Sequence, residues 1–131
     1  MADVLMNVEG AEFQRGLVLY LLPDVLGRRE STRCTVDSAL AVQGGHFFVC
    51  LSVTGNRSRW LPVYSDNANQ DRVEIPSVSR YGHTKWTGGT CFYHAAQIWE
   101  ADNDVVCAAA SNDRSKKGER NWVLGSFPLP Q

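Results

Sequence analysis

The sequence predicts a mainly β fold, a small antiparallel barrel or sandwich with long loops. Three observations carry this prediction: five or six short runs of strand length, few segments with helical periodicity, and frequent glycine and proline between the runs. A chain of 131 residues has room for one such domain around one core. We therefore expect a loose N-terminal arm at residues 1–15 and a single β-barrel domain at residues 16–131.

The first half of the chain contains the strongest strand signals. Residues 17–22 form a continuous apolar run between a glycine and a proline, which predicts a strand buried on both faces. Residues 24–38 hold a charged cluster and a glycine, which predict an exposed loop or a short helix followed by irregular chain. The apolar run at 47–53, the turn-forming residues at 54–58 and the extended pattern at 59–64 predict a β-hairpin.

Weaker signals continue through the second half. Residues 73–75 alternate apolar and polar side chains and stop at a proline, as a short edge strand does. We expect further short strands at 91–93, 105–110 and 122–124. Residues 95–99 fit either a helical turn or a continuation of the strand before them.

Composition limits the partners that the whole molecule attracts. Thirteen basic and fourteen acidic residues give a formal charge of −1, so the chain generates no strong field for nucleic acid or for an anionic membrane. Any site for a polyanion must therefore be a local patch. The longest early apolar run has six residues, which is too short for a signal peptide or a membrane span.

The cysteine pattern indicates a cytoplasmic protein. None of the four cysteines belongs to a CxxC pair, and no secretory signal accompanies them, so we predict reduced thiols without a disulfide. A zinc site needs ligand pairs about two to four residues apart, which neither the cysteines nor the histidines supply among themselves. We therefore predict no metal and no cofactor.

Two stretches, residues 46–65 and residues 73–102, together span about half the chain and resemble segments of the MazF/PemK toxin family. Residues 46–52 followed by 61–65 are similar to that family's paired strands, the first ending in a serine and the second carrying a proline. Residues 73–76, then Gly82, then 93–98 before an acid are similar to its V-E-I-P segment, its glycine and its Q-I pair. The resemblance implies an SH3-like barrel that acts as a homodimeric, metal-independent ribonuclease on single-stranded RNA and is silenced by an antitoxin.

The chemistry at the family's catalytic positions differs in this chain. The resemblance places an arginine before the first paired strand and a threonine in the second, where this chain has His46 and Tyr64. An imidazole takes a proton near neutral pH and a phenol donates a hydrogen bond, so the two form a candidate acid/base pair for RNA cleavage. The structural alternative is a histidine that caps a strand and a tyrosine whose ring lies in the core.

The predicted hairpin carries one candidate ligand-binding cluster. Arg57, Arg59 and Trp60 suit a phosphate contact and a stacked base. The structural alternative is an exposed turn that collects arginines for solubility, with the indole packed inward because of the area it buries.

The loop at 79–90 carries a second cluster, in which basic groups, aromatic rings and hydroxyls stand among glycines. Arg80, His83, Lys85 and Trp86 suit a polar or anionic ligand, because long loops without secondary structure often carry function. The structural alternative is a surface Ω-loop whose aromatic residues anchor it.

These residues lead to two hypotheses of different classes. The first is a non-catalytic SH3-like binding module of unknown ligand, favoured by the near-neutral charge and the changed catalytic positions. The second is a MazF/PemK-like ribonuclease or RNA-binding toxin relative, with an antitoxin-like protein partner. We also expect a homodimer, and a groove that joins His46, Tyr64 and the loop at 80–86.

Overall fold

The computed structural model describes residues 8–67, 71–110 and 120–131. Within these ranges the strands are β1 (Leu17–Leu21), β2 (Arg33–Cys34), β3 (His46–Thr54), β4 (Arg57–Tyr64), β5 (Val73–Glu74), β6 (Arg80–Tyr81), β7 (Phe92–Tyr93), β8 (Trp99–Asp102) and β9 (Asn121–Val123). The α-helices are α1 (Pro23–Leu26), α2 (Thr84–Thr87) and α3 (Asn103–Ala109). Short 3-10 helices lie at Gly10–Glu12 and Ser77–Ser79.

The strands form one antiparallel sheet. They follow the order β2-β8-β4-β3-β1-β9-β6, and β7 branches from β4 to pair with β5. The predicted mainly β, antiparallel fold is therefore confirmed. The outermost strands in this order are β2 and β6. Within the described ranges these two strands do not pair with each other, so the sheet stays open and does not close into a barrel.

The hairpin of β3 and β4 forms the centre of the sheet, as its sequence predicts. Its turn lies at Gly55 and Asn56, and Gly55 adopts φ +60°, a left-handed conformation that glycine adopts without a steric penalty. The pairing register shifts between Cys50 and Ser52, which marks a β-bulge. A bulge increases the local twist and so helps the sheet to curve.

The sheet buries apolar side chains on both faces, which explains why β1 and β3 are continuous apolar runs. Along β3, Phe48 and Cys50 belong to one core, and Val49 and Leu51 belong to the other. This division follows because successive side chains of a strand point to opposite faces. Residues of α1 and α3 belong to the first core, and the loop that carries Trp86 contributes to the second.

The apolar run at 105–110 is largely helical, so its prediction as a strand is wrong. Most of it belongs to α3, which follows directly on β8. Val105, Val106 and Ala109 are buried while Asp104 is exposed, a spacing that places the apolar side chains on one face of a helix. Apolar content alone fits a strand as well as a helix, whereas the spacing of the buried residues indicates a helix.

The described part of the predicted N-terminal arm is packed rather than loose. Val8 and Phe13 are buried in the first core, and the Phe13 ring meets the Trp60 ring edge to face with 5.4 Å between centroids. The sequence pattern of residues 8–15 concealed these core positions, because a 3-10 turn follows neither the strand period nor the α-helical period. Residues 1–7 lie outside the described ranges.

The shorter elements match the sequence in part. The segment at 24–38 forms α1 and then β2, which pairs with β8 where the sequence predicts irregular chain. Strands β5, β7 and β9 overlap the runs predicted at 73–75, 91–93 and 122–124. Residues 95–99 include a turn and then the first residue of β8.

All four cysteines are free, in agreement with the prediction of reduced thiols. Cys50 and Cys91 are buried, and this burial raises the pKa of each thiol to about 12. Both thiols are therefore neutral at pH 7 and act as small apolar groups. Within the described ranges, no helix is long and apolar enough to cross a membrane.

Candidate functional site

A cleft lies among the start of β3, the end of β4 and the loop that joins β6 to β7. Its volume is about 470 Å³, and its walls include Tyr20, His46, Tyr64, Lys85 and Trp86. We call it the His46 cleft. The groove that the sequence predicts between the candidate acid/base pair and the basic loop is therefore present.

His46 and Tyr64 contact each other in this cleft, from the first residue of β3 and the last residue of β4. Their rings meet edge to face with 5.4 Å between centroids. His46 Nδ1 lies 2.9 Å from the carbonyl oxygen of Val63, and a carbonyl only accepts, so Nδ1 is the nitrogen that donates. In the neutral ring, Nε2 is then left as a hydrogen-bond acceptor.

Tyr64 is held in place by two polar side chains. Its hydroxyl accepts a hydrogen bond from Gln97 Nε2 at 2.8 Å. The guanidinium carbon of Arg72 lies 3.8 Å from the centre of its ring, a cation–π contact. Burial raises the pKa of Tyr64 above its usual value, so the phenol stays protonated at neutral pH and can donate a hydrogen bond.

Gln97 orients Tyr64, although its sequence context does not single it out as a site residue. Its side chain is buried, and its Oε1 accepts from the Val42 backbone and from Trp99 Nε1, each at 3.0 Å. The different partners of Oε1 and Nε2 fix the orientation of the amide. A lone glutamine in an apolar segment fits an exposed position as well as a buried network, so no local signal could identify this role.

Arg80, which the sequence predicts as a ligand contact, is buried and holds the loop together. Only 6% of the residue is exposed. Its Nη1 donates to the carbonyls of Trp86 at 2.8 Å and Gly88 at 3.2 Å, and its Nη2 donates to that of Gly89 at 2.7 Å. These bonds satisfy one carbonyl in the last turn of α2 and two carbonyls just after the helix. Arg80 also lines the His46 cleft.

The other predicted loop residues differ in exposure. Trp86 is only 2% exposed, its ring packs against Phe47, and its Nε1 donates to the Trp122 carbonyl at 3.0 Å. His83 is exposed, and its Nδ1 accepts from the Lys85 backbone at the start of α2. Lys85 is exposed and lines the cleft. Lys85 is thus available to a ligand, whereas Trp86 is mainly an anchor and His83 is a helix cap outside the cleft wall.

The hairpin cluster lies away from the cleft, and its polar groups are already paired. Arg57 forms ion pairs with Glu100 at 2.9 Å and Asp102 at 2.7 Å. Arg59 donates to a carbonyl oxygen of the C-terminal segment. Trp60 is 1% exposed, and its Nε1 donates to a serine hydroxyl. The inward-packing alternative is therefore correct for Trp60, which belongs to the first core and not to a ligand site.

The His46 cleft carries positive charge without an acidic partner. Among the described residues that line it there are two cations, Arg80 and Lys85, and no aspartate or glutamate. The ion pairs between described side chains include neither cation. Arg80 Nε is buried and has no hydrogen-bond partner within the described ranges.

Cys91 also lines the cleft, but its raised pKa of about 12 excludes a thiolate nucleophile at pH 7.

The chain matches no protein-family model, no curated protein and no solved structure. The resemblance to the MazF/PemK family therefore stays a prediction. In the part of the chain that the structure describes, no three histidine, cysteine, aspartate or glutamate side chains come together to hold a metal ion.

Proposed function

We propose that this domain is a non-catalytic binding module that takes an anionic ligand in the His46 cleft. One observation carries the proposal: Arg80 and Lys85 line the cleft, and no described carboxylate lines it with them. Opposite charges attract more strongly in a cleft than in bulk water, because the surrounding protein lowers the effective dielectric constant. This surface therefore favours an anion, although the whole chain carries a formal charge of only −1.

The contacts of the cleft residues support binding rather than catalysis. Burial raises the pKa of Tyr64, which makes its hydroxyl a poorer proton donor in a reaction. His46 Nδ1 is already committed to a backbone carbonyl. Both side chains can hydrogen-bond a ligand without changing their protonation state.

Thermal unfolding in phosphate tests the proposal, because a ligand that binds only the folded state raises Tm. Phosphate also stabilises proteins in general, so matched variants are needed. Lys85→Gln removes a cation from the cleft, and Arg33→Gln removes one from an exposed position elsewhere. We expect a smaller rise in Tm for Lys85→Gln than for the wild type and Arg33→Gln. An equal rise in all three proteins would contradict the proposal.

A second candidate is the ribonuclease that the family resemblance implies. The observation in its favour is that His46 and Tyr64 contact each other in the same cleft. Incubation with single-stranded RNA under metal-free conditions tests it. Cleavage that is lost in both His46→Ala and Tyr64→Phe would support the ribonuclease, and intact RNA at micromolar protein would exclude it.

We also propose a homodimer in the cytoplasm. Light scattering should then give twice the mass of the 14.6 kDa chain, and a monomer at high concentration would contradict the dimer. The four free cysteines support a reducing compartment. An antitoxin-like protein partner is part of the ribonuclease candidate alone.

A further inference from the structure

We infer that the ligand of the His46 cleft is a phosphate monoester attached to a planar aromatic group, an inference that rests on the proposed function. Charge is the first reason. Arg80 and Lys85 bring two positive charges to the cleft wall, and a phosphate monoester carries about −1.5 to −2 at pH 7. A carboxylate or a phosphodiester carries a single negative charge, so the charge of a monoester matches the two positive charges of the cleft best.

Arg80 supplies a positive charge that is fixed in place. Three backbone carbonyls hold its guanidinium, so the group cannot turn outward into water. It is 6% exposed, and its Nε lacks a partner within the described ranges. A buried cation without a carboxylate is costly unless an anion approaches it. Arg80 thus attracts the anion through its fixed positive charge. The exposed Lys85 can contact the anion directly.

The cleft is larger than an inorganic ion requires. Its volume of about 470 Å³ lies within the range of about 300–1,000 Å³ that is typical of small-molecule sites. A phosphate ion would leave most of this space to water. The ligand therefore has a body as well as an anionic group.

Aromatic side chains form much of the wall that this body would meet. Edge-to-face contacts link Tyr20 to Phe47 and His46 to Tyr64, each with 5.4 Å between ring centroids. Gly45 also lines the cleft, and a β-carbon there would lie 2.6 Å from the Tyr20 ring, so glycine is needed to leave this ring in place. Because rings bind other rings by stacking and edge contacts, the wall favours a planar aromatic body.

Isothermal titration calorimetry on the full chain tests this inference with three probes. Phenyl phosphate carries both parts of the ligand, whereas inorganic phosphate and phenol each carry one. We expect phenyl phosphate to bind about tenfold or more tightly than either of the others, since stacking one ring contributes on this scale.

Two matched pairs of variants assign the effect to the cleft. Lys85→Gln should weaken phenyl phosphate binding about fivefold or more, because it removes a charged hydrogen-bond donor, and Arg33→Gln should leave it unchanged. Tyr20→Leu should remove most of the advantage of phenyl phosphate over inorganic phosphate. Tyr81→Leu, at an exposed tyrosine outside the cleft wall, should keep that advantage. If Tyr20→Leu does not fold, the affinities of the wild-type chain for the three probes still decide whether the ligand has an aromatic body.

Different failures of the experiment have different meanings. Equal affinity for phenyl phosphate and inorganic phosphate, both weakened by Lys85→Gln, would overturn the aromatic body and leave the anion-binding function intact. Binding of neither phosphate would overturn both the aromatic body and the anion-binding function.

A short single-stranded RNA tests whether the ligand is a monoester, because the internal phosphates of RNA are diesters. Tighter binding of RNA with a 5′-phosphate than of RNA with a 5′-hydroxyl would support the monoester, and equal binding would overturn it.

Discussion

The hairpin of β3 and β4 and the segment from β6 to β7 contain the same residue types, yet their basic groups have different surroundings. Each region combines arginine with a buried tryptophan, Trp60 in the hairpin and Trp86 in the loop. In the hairpin, two carboxylates neutralise Arg57. In the segment from β6 to β7, the described partners of Arg80 are neutral carbonyls and the ring of Trp86. Charge balance, rather than the number of basic residues, therefore distinguishes the candidate site from the structural turn.

Strand pairing explains this difference. The register of β4 and β8 places Arg57 opposite Asp102 and Arg59 opposite Glu100, and opposite charges on neighbouring strands attract. Arg80 is instead opposite Val123 of β9. The loop charge is therefore left without the cross-strand partner that the hairpin charges have.

The largest effects should come from the tryptophans, and they should be similar in both regions. Trp60 fills the first core and Trp86 the second. We expect Trp60→Ala and Trp86→Ala each to lower the free energy of unfolding by about 3–5 kcal/mol. Lys85→Ala is the control and should change it by less than about 0.5 kcal/mol. Urea denaturation measures these values, and a small effect of Trp86→Ala would show that Trp86 is not an anchor.

Arg80→Met should have the next largest effect and should act mainly on the loop. Loop carbonyls lose their donor, so we expect a loss of about 2–3 kcal/mol. Hydrogen exchange should become faster at residues 84–89, while the hairpin amides stay protected. Arg80→Lys keeps the charge but not the planar fork, so it should recover only part of the stability. Faster exchange throughout the sheet would contradict this localised role.

Alkaline pH should destabilise the protein through a buried thiol in each region. Burial raises the pKa of Cys50, in the hairpin, and of Cys91, after the loop, from 9.0 to about 12. The folded state keeps these protons after the unfolded chain has released them. The free energy of unfolding is therefore unaffected below about pH 9 and falls as the pH rises towards about 12.

Each thiol should contribute a fall of at most about 1.4 kcal/mol per pH unit in that range. Urea denaturation at about pH 8 and about pH 10 measures this fall. It should be smaller in Cys50→Ala and in Cys91→Ala than in the wild type. An unchanged fall in both variants would show that other groups cause it.

The smallest effects should come from Arg57, a partly buried charge, and Lys85, an exposed one. Arg57→Gln breaks two ion pairs and should lower Tm slightly, and added sodium chloride should reduce the difference because it screens the pairs. Lys85→Gln should not lower Tm, since no described carboxylate pairs with Lys85. Thermal unfolding at low and high salt compares the two. An equal, salt-sensitive loss in Lys85→Gln would contradict the difference in charge balance.

Local patterns were sufficient for the strands that lie between two cores. The runs behind β1 and β3 are apolar at nearly every position, and the turn residues between β3 and β4 determine the hairpin. For α3, apolar content alone did not separate helix from strand. The burial of Val8 and Phe13 was also not predicted, because the core that they join is formed by residues distant from them in the sequence.

The position of the cleft was predictable from the sequence, but the contacts of its residues were not. His46, Tyr64 and Lys85 share one cleft, as the sequence predicts. The pairing of Arg57 could not be foreseen, because its carboxylate partners lie 43 and 45 residues later. Likewise, the burial of Arg80 depends on how its own loop folds back over it. Long-range pairing decides which charges remain available to a ligand.

The contrast between loop and hairpin is tested most directly by locating the bound anion. Backbone amide NMR of the full chain, titrated with phenyl phosphate, reports every residue whose surroundings change. We predict saturable shifts at Lys85, Gly89 and Thr90 in the His46 cleft, and unchanged signals at Arg57 and Arg59. Shifts centred on the hairpin, or shifts spread over all basic residues without saturation, would contradict an anion site in the His46 cleft.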